Sequence, residues 1–178
     1  MKGIWFVTSR RYILQEYGSE VFERYVQTAP QRIRDTLRDP VVSRWYAEET
    51  LRDALVAFHA IVAGGDDAAF QAAMERCAVL GVHWFLQILA SVTTPSYLLR
   101  LMPATIQQMR RGPVRVQVQM GDRTATLRFT GQPYADDPRY VLSTPAIVRA
   151  IVALCVGPAA KAKLTYFDAS THVCEVTW

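Results

Sequence analysis

Hydrophobic and polar positions alternate from Val114 onward, whereas before Gly112 they recur at helical spacing. Val114, Val116, Val118 and Met120 alternate with Arg115, Gln117 and Gln119. Beyond Gly121-Asp122 the alternation resumes, with Ala125, Leu127 and Phe129 against Thr126, Arg128 and Thr130. Period two on both sides of a two-residue loop predicts a β-hairpin. Thr144 as cap, Pro145 at the first position, an apolar run over 147–156 and Gly157-Pro158 as stop predict a helix. Leu164 and Tyr166, a turn from Asp168 to Thr171, and Cys174, Val176 and Trp178 predict a second hairpin. The segment 132–139, rich in Pro and Asp, reads as a loop.

The first 111 residues predict helices only. Residues 9–17 form the first, ended by Gly18; Ser19 caps the second, which carries Val21, Phe22, Tyr25 and Val26 on one face. Pro30 opens a third with Ile33 and Leu37 inward, and Asp39-Pro40 breaks it. Leu51, Leu55, Phe58 and Val62 line a helix over 47–63, stopped by Gly64-Gly65. Asp66 caps the next, which begins amphipathic at Phe70, Met74 and Cys77 and is apolar on nearly every side over 79–89. Thr94-Pro95 starts the last, with Pro103 as a kink or break. The expected fold is therefore α+β. A single domain over 1–178 comprises an N-terminal helical lobe, 1–111, followed by a C-terminal antiparallel β-hairpin–helix–β-hairpin module, 112–178.

Composition narrows the function classes. A chain of 178 residues buries roughly 70% of its unfolded surface, so it needs no disulfide or metal to fold. Cys77, Cys155 and Cys174 are far apart and odd in number, which predicts reduced thiols and a cytoplasmic location. The net charge of +4 comes mostly from dispersed arginines; Arg32, Arg34 and Arg38 are interleaved with Asp35 and Asp39. That dispersion predicts a solvated surface and no nucleic-acid partner. The apolar run at Ile4 to Val7 is too short for a signal segment, and the one over 77–92 contains His83 and Gln87, so no membrane span is expected.

The order of elements resembles a known superfamily. Met1-Lys2-Gly3-Ile4 and the Tyr17-Gly18-Ser19-Glu20 turn resemble the opening of haem nitric-oxide-binding domains. Leu80-Gly81, the stretch Leu98-Leu99-Arg100-Leu101-Met102-Pro103, the hairpin to Gly131 and the helix region over 140–157 resemble the wider group. It comprises those sensors, the 4-vinyl reductase domains and core subunits of the transport protein particle; the nearest likeness is to an uncharacterised paralogous family abundant in myxobacteria. The resemblance implies a proximal histidine on the helix before the β module and a Tyr-x-Ser-x-Arg grip on the haem propionates. Residues 96–111 hold no histidine, and Tyr140-Val141-Leu142-Ser143-Thr144 has neither that spacing nor the arginine. The expectation is accordingly that the chain carries no cofactor, with haem disfavoured.

Candidate site residues follow from these readings. Trp45, Tyr46, His83, Trp84, Tyr97, Met102 and Tyr140 are the candidate ligand-binding set, offering apolar surface with polar tips, set against a plain aromatic core. Arg115, Gln117, Gln119, Thr126 and Arg128 are the candidate partner-binding face, because a sheet covered on one side leaves the other open. His83 and His59 read as core histidines and His172 as a solvent-exposed turn residue. No metal-ligand spacing and no nucleophile–base pairing occurs, and Asp136-Asp137 reads as a solvated turn. The leading expectation is a non-enzymatic cytoplasmic signalling or adaptor domain that binds a hydrophobic small molecule or a protein partner. The alternatives are a haem-dependent gas sensor with a non-standard ligand such as His83, and a structural subunit of a homo- or hetero-oligomer.

Overall fold

The computed structural model describes residues 1–81 and 93–178. His83, Trp84, Phe85 and most of the expected all-apolar stretch lie outside the described residues. The chain divides into two compact units, Met1–Gly81 and Val82–Trp178.

The first unit is helical: α1 (Ile4–Glu16), α2 (Gly18–Thr28), α3 (Gln31–Arg38), α4 (Glu48–Ile61) and α5 (Asp67–Gly81). Its core is aromatic. Phe58 stacks on Tyr12 at 6.2 Å between ring centroids and meets Tyr25 and Phe70 edge-on at 6.3 and 6.0 Å. Such pairs add about 0.5–1.5 kcal/mol each beyond the area they bury. Gly81 lets α5 approach α1, since a Cβ there would come within 3.2 Å of the Thr8 side chain.

Helix α1 begins earlier than its sequence suggests. Thr8-Ser9 has turn chemistry, yet Ser9 turns its hydroxyl back to the Trp5 carbonyl at 2.8 Å and Thr8 is buried, so the helix passes through both. Gly18, with φ +82, rather than Ser19 marks the start of α2. Asp66 does cap α5, accepting from the Ala69 amide at 2.7 Å.

The second unit holds α6 (Pro95–Met109), β1 (Arg115–Gly121), β2 (Thr124–Thr130), α7 (Pro138–Val141), α8 (Ser143–Val156), the 3-10 turn Gly157–Ala159, β3 (Lys161–Phe167) and β4 (Thr171–Thr177). The two hairpins merge into one antiparallel sheet of order β1-β2-β4-β3. This is the expected α+β arrangement. Helices α6 and α8 pack against one sheet face, where Leu99, Met102, Leu127, Val148, Val152 and Cys174 form the buried core.

Local chemistry explains most boundaries here. Thr94 accepts from the Tyr97 amide at 3.3 Å and Pro95 takes a first-turn position, as the sequence predicts. Pro103 lies inside α6 without ending it. The first hairpin loop is Asp122-Arg123, one residue later than expected, with Arg123 at φ +50. The Thr144-Pro145 cap expectation fails. Residues 138–141 are already helical, and Pro145 falls in the first turn of α8, where no intrahelical amide bond is owed. The expected loop over 132–139 is also more ordered than a solvated loop, because Gln132 and Ala135 are buried and α7 starts at Pro138. The run Pro138–Ala159 is apolar and long enough to cross a membrane by length and composition. Val148 and Val152 on it are buried in the sheet core, which is the role of a core helix.

Candidate functional site in the second unit

A buried polar group sits where β2 and β4 leave the sheet. His172 is paired opposite Phe129 and fully buried, its ring stacked on that phenyl ring at 4.6 Å and 12°. Neither imidazole nitrogen has a hydrogen-bond partner among the described residues. Desolvation, reinforced by the Arg110 guanidinium, pushes the His172 pKa down to about 3, so the ring is neutral at pH 7.

The chain continues past β2 through Gly131, whose φ of +70 and close approach to the Pro113 carbonyl leave no space for a side chain. It then buries Gln132, whose amide nitrogen donates to the Ser170 carbonyl at 3.2 Å. The Gln132 side-chain oxygen is buried without a partner among the described residues.

Beside this group, Arg110 at the end of α6 donates to the Tyr140 hydroxyl, and its guanidinium lies 5.6 Å from that ring's centroid. Tyr134 meets Tyr140 edge-on at 6.0 Å, and Ser143 donates to the Tyr140 carbonyl at 2.8 Å. The arrangement places a neutral donor–acceptor ring, an amide oxygen and a cation–phenol pair in one region of the unit. It can exchange hydrogen bonds with a small polar group. It has no nucleophile–base pair.

The reading of His172 as an exposed turn residue is corrected here. The turn ends one residue sooner, and His172 shares the buried face with Cys174 and Val176. His59 is mostly buried, its ring against Phe70 at 5.4 Å with one partner, Asp67, at 2.8 Å, as expected of a core histidine. Asp137 is not a solvated turn carboxylate either: it caps α7 by accepting from the Arg139 amide at 3.0 Å.

The candidate ligand-binding residues have varied surroundings. In the first unit, Tyr46 packs edge-on to Phe6 at 5.0 Å, and its hydroxyl accepts from the Val41 amide at 3.0 Å. Trp45 is half-buried beneath the Lys2 ammonium at 5.9 Å. Both residues therefore stitch the segment before α4 to the start of the chain. In the second unit, Met102 is in the sheet core and Tyr140 is held by Arg110. Tyr97 is exposed at 50%, one turn before Leu101 at 41%, with exposed Arg100 beside them. His83 and Trp84 lie outside the described residues. Among the described residues no group of three metal-ligating side chains occurs.

Sequence reasoning missed His172, Gln132 and Arg110. For His172 a signal existed: stepping back by twos from Val176 through Cys174 puts it on the inner face. Gln132 and Arg110 carry none, since their placement depends on Gly131 and on where α6 ends.

The fold can be compared with solved structures; no family model and no curated protein matches the chain. The crystal structure of the Fe(II) unliganded H-NOX protein from K. algicida has TM-score 0.66 at 12% identity, covering 99% of this chain and 96% of that one. A mutant H-NOX of T. tengcongensis gives 0.66 at 11% identity, with 99% and 97% covered. A mutant H-NOX from S. oneidensis in the Fe(II) ligation state gives 0.66 at 15%, with 99% and 95% covered. The chain thus has the fold of haem nitric-oxide-binding proteins over nearly its whole length.

This likeness overturns the expectation of a chain without cofactor. Structures of this fold include Fe(II) proteins and one described as modulating haem redox potential through porphyrin distortion. The expectation rested on two motifs at fixed positions, and a fold kept at 10–15% identity need not keep its donors at those positions.

Proposed function

We propose that this chain is a haem-dependent gas-sensor domain, cytoplasmic and non-enzymatic, that signals to a protein partner. The observation that carries the reading is the likeness to H-NOX structures across 99% of the chain. The signalling role expected from the sequence is retained, and the cofactor is revised to haem.

A histidine-held haem calls for a neutral imidazole with an uncommitted nitrogen, apolar surface for the macrocycle and a cation for the propionates. Of the three imidazoles, His59 is committed to Asp67. His172 is neutral and unpartnered, but its ring face is covered by Phe129 within the sheet core. Among the histidines His83 is then the residue that would hold the iron. Tyr97 and Leu101 supply uncovered apolar surface on α6, the helix before the β module, and Arg100 beside them supplies the cation. Tyr97, Leu101 and Arg100 suit the macrocycle and its carboxylates, while His83 lies outside the described residues. When bound, haem would supply an iron coordination position for a diatomic gas; the chain's part is to donate an imidazole, cover the ring and pair its carboxylates.

The test is reconstitution with haem followed by absorption spectroscopy, with His83→Ala, His172→Ala and His59→Ala in parallel. The reading expects a one-to-one Soret band, lost or strongly shifted in His83→Ala alone. A folded chain that remains colourless after haem addition overturns it. A band lost only in His172→Ala reassigns the ligand and keeps the function.

A further inference from the structure

The sheet face turned away from α6 and α8 is open, and its charge is unbalanced. Two rows cross it: Gln117, Arg128, Val173 and Tyr166, then Gln119, Thr126, Glu175 and Lys163. Arg115 stands on β1 opposite Thr130, which makes it the diagonal neighbour of Arg128 on the same face. Diagonal positions lie about 7–8 Å apart, so two arginines stem from one end of the face. Lys161 adds a third cation at the other end, opposite Thr177.

The carboxylates near this face are already committed. Glu175 pairs with Lys163 at 3.3 Å. Asp168, at the corner, accepts from the Tyr166 hydroxyl at 2.5 Å and from the Ser170 and Thr171 amides at 2.9 Å each. Arg115 donates only to the Gly112 and Val114 carbonyls at the sheet's end. Neither Arg128 nor Lys161 forms an ion pair among the described residues. Val173, between Arg128 and Tyr166 in its row, is buried although its strand position faces outward.

We propose that this face docks an acidic protein surface, with Arg115 and Arg128 receiving a carboxylate and Gln117 and Gln119 donating beside it. Arginines at adjoining positions of one face favour an anionic partner. Glutamine and threonine rows suit the polar rim of a protein interface. The chemistry disfavours a nucleic acid. Single strands need several aromatic platforms on the strands, and the only outward-facing ring in these rows is Tyr166, whose hydroxyl is tied to a carboxylate. This inference stands whether or not haem is bound.

The probes are poly-L-glutamate and a 20-mer of oligouridylate RNA, titrated into the full chain by calorimetry at 100 mM salt. Amide shifts are followed on β1 and β2. The variant Arg115→Glu/Arg128→Glu is compared with Arg11→Glu/Arg24→Glu, which changes net charge equally on exposed positions of α1 and α2. Arg115→Gln/Arg128→Gln repeats the test without charge reversal, and circular dichroism verifies folding of each. The expected result is poly-glutamate binding that shifts β1 and β2 amides, weakens about tenfold in the face variant and less than twofold in the control. Equal weakening in both variants, shifts elsewhere, or no binding overturns the proposal. Tighter binding of the RNA, lost in the face variant, also overturns it and makes the face a nucleic-acid surface.

Discussion

Replacing His172 with Phe removes both unpartnered ring nitrogens while keeping an aromatic ring against Phe129. At pH 7.5 the net effect on stability is small. Relief of buried unsatisfied groups, about 1–3 kcal/mol, is offset by about 1–3 kcal/mol for the larger ring in a packed core. The pH dependence discriminates better. The native His172 pKa is about 3, whereas the unfolded chain takes up the proton near the ordinary value of 6.5. Between these values the unfolded state binds the extra proton, so wild-type stability falls as pH falls. From pH 6.5 to pH 5 the loss is 1.5 units at 1.36 kcal/mol per unit, about 2 kcal/mol. Urea unfolding at pH 7.5, 6.5, 5.5 and 5.0 reads it directly. The wild type should lose about 2 kcal/mol more than His172→Phe across that range. Parallel stability curves for the two proteins would refute the argument and mean that the imidazole titrates freely in the native state.

Two further outcomes follow from the same geometry. Gly131→Ala should destabilise the chain by about 1–3 kcal/mol in urea, because the residue has a positive φ and a Cβ would sit 2.6 Å from the Pro113 carbonyl oxygen; an unchanged midpoint would contradict the assigned turn. Native thiol labelling at pH 8 should modify Cys155 first. It is half-buried, whereas burial pushes Cys77 up to about 11 and Cys174 to about 12; labelling of all three at one rate would contradict their burial.

The sheet was legible in the sequence because one face is buried and the other open, so alternation marks β1 and β2 to within a residue or so, whereas in β3 a bulge between Leu164 and Tyr166 puts the two on opposite faces. Where the reading slipped, tertiary packing outweighed local chemistry. Thr8-Ser9 and Thr144-Pro145 look like boundaries, but a back-bonded hydroxyl and a first-turn proline both fit inside helical segments. His172 was assigned to the turn because Asp168-Ala169-Ser170-Thr171 is strong turn chemistry, whereas β4 begins at Thr171. The candidate site was less legible. Arg110 and Tyr140 are thirty residues apart and meet only because α6 ends near α7. The expectation of no cofactor fails because it looks for donors at a family's motif positions, whereas a fold constrains where a donor can stand without fixing its residue number.

The central claim is tested most directly by an absorption titration of the purified full chain with haem, followed by anaerobic reduction and addition of nitric oxide. The account predicts saturation at one haem per chain and a Soret band that moves when nitric oxide is added. A folded chain that shows no stoichiometric Soret band, or a band indifferent to nitric oxide, would contradict it.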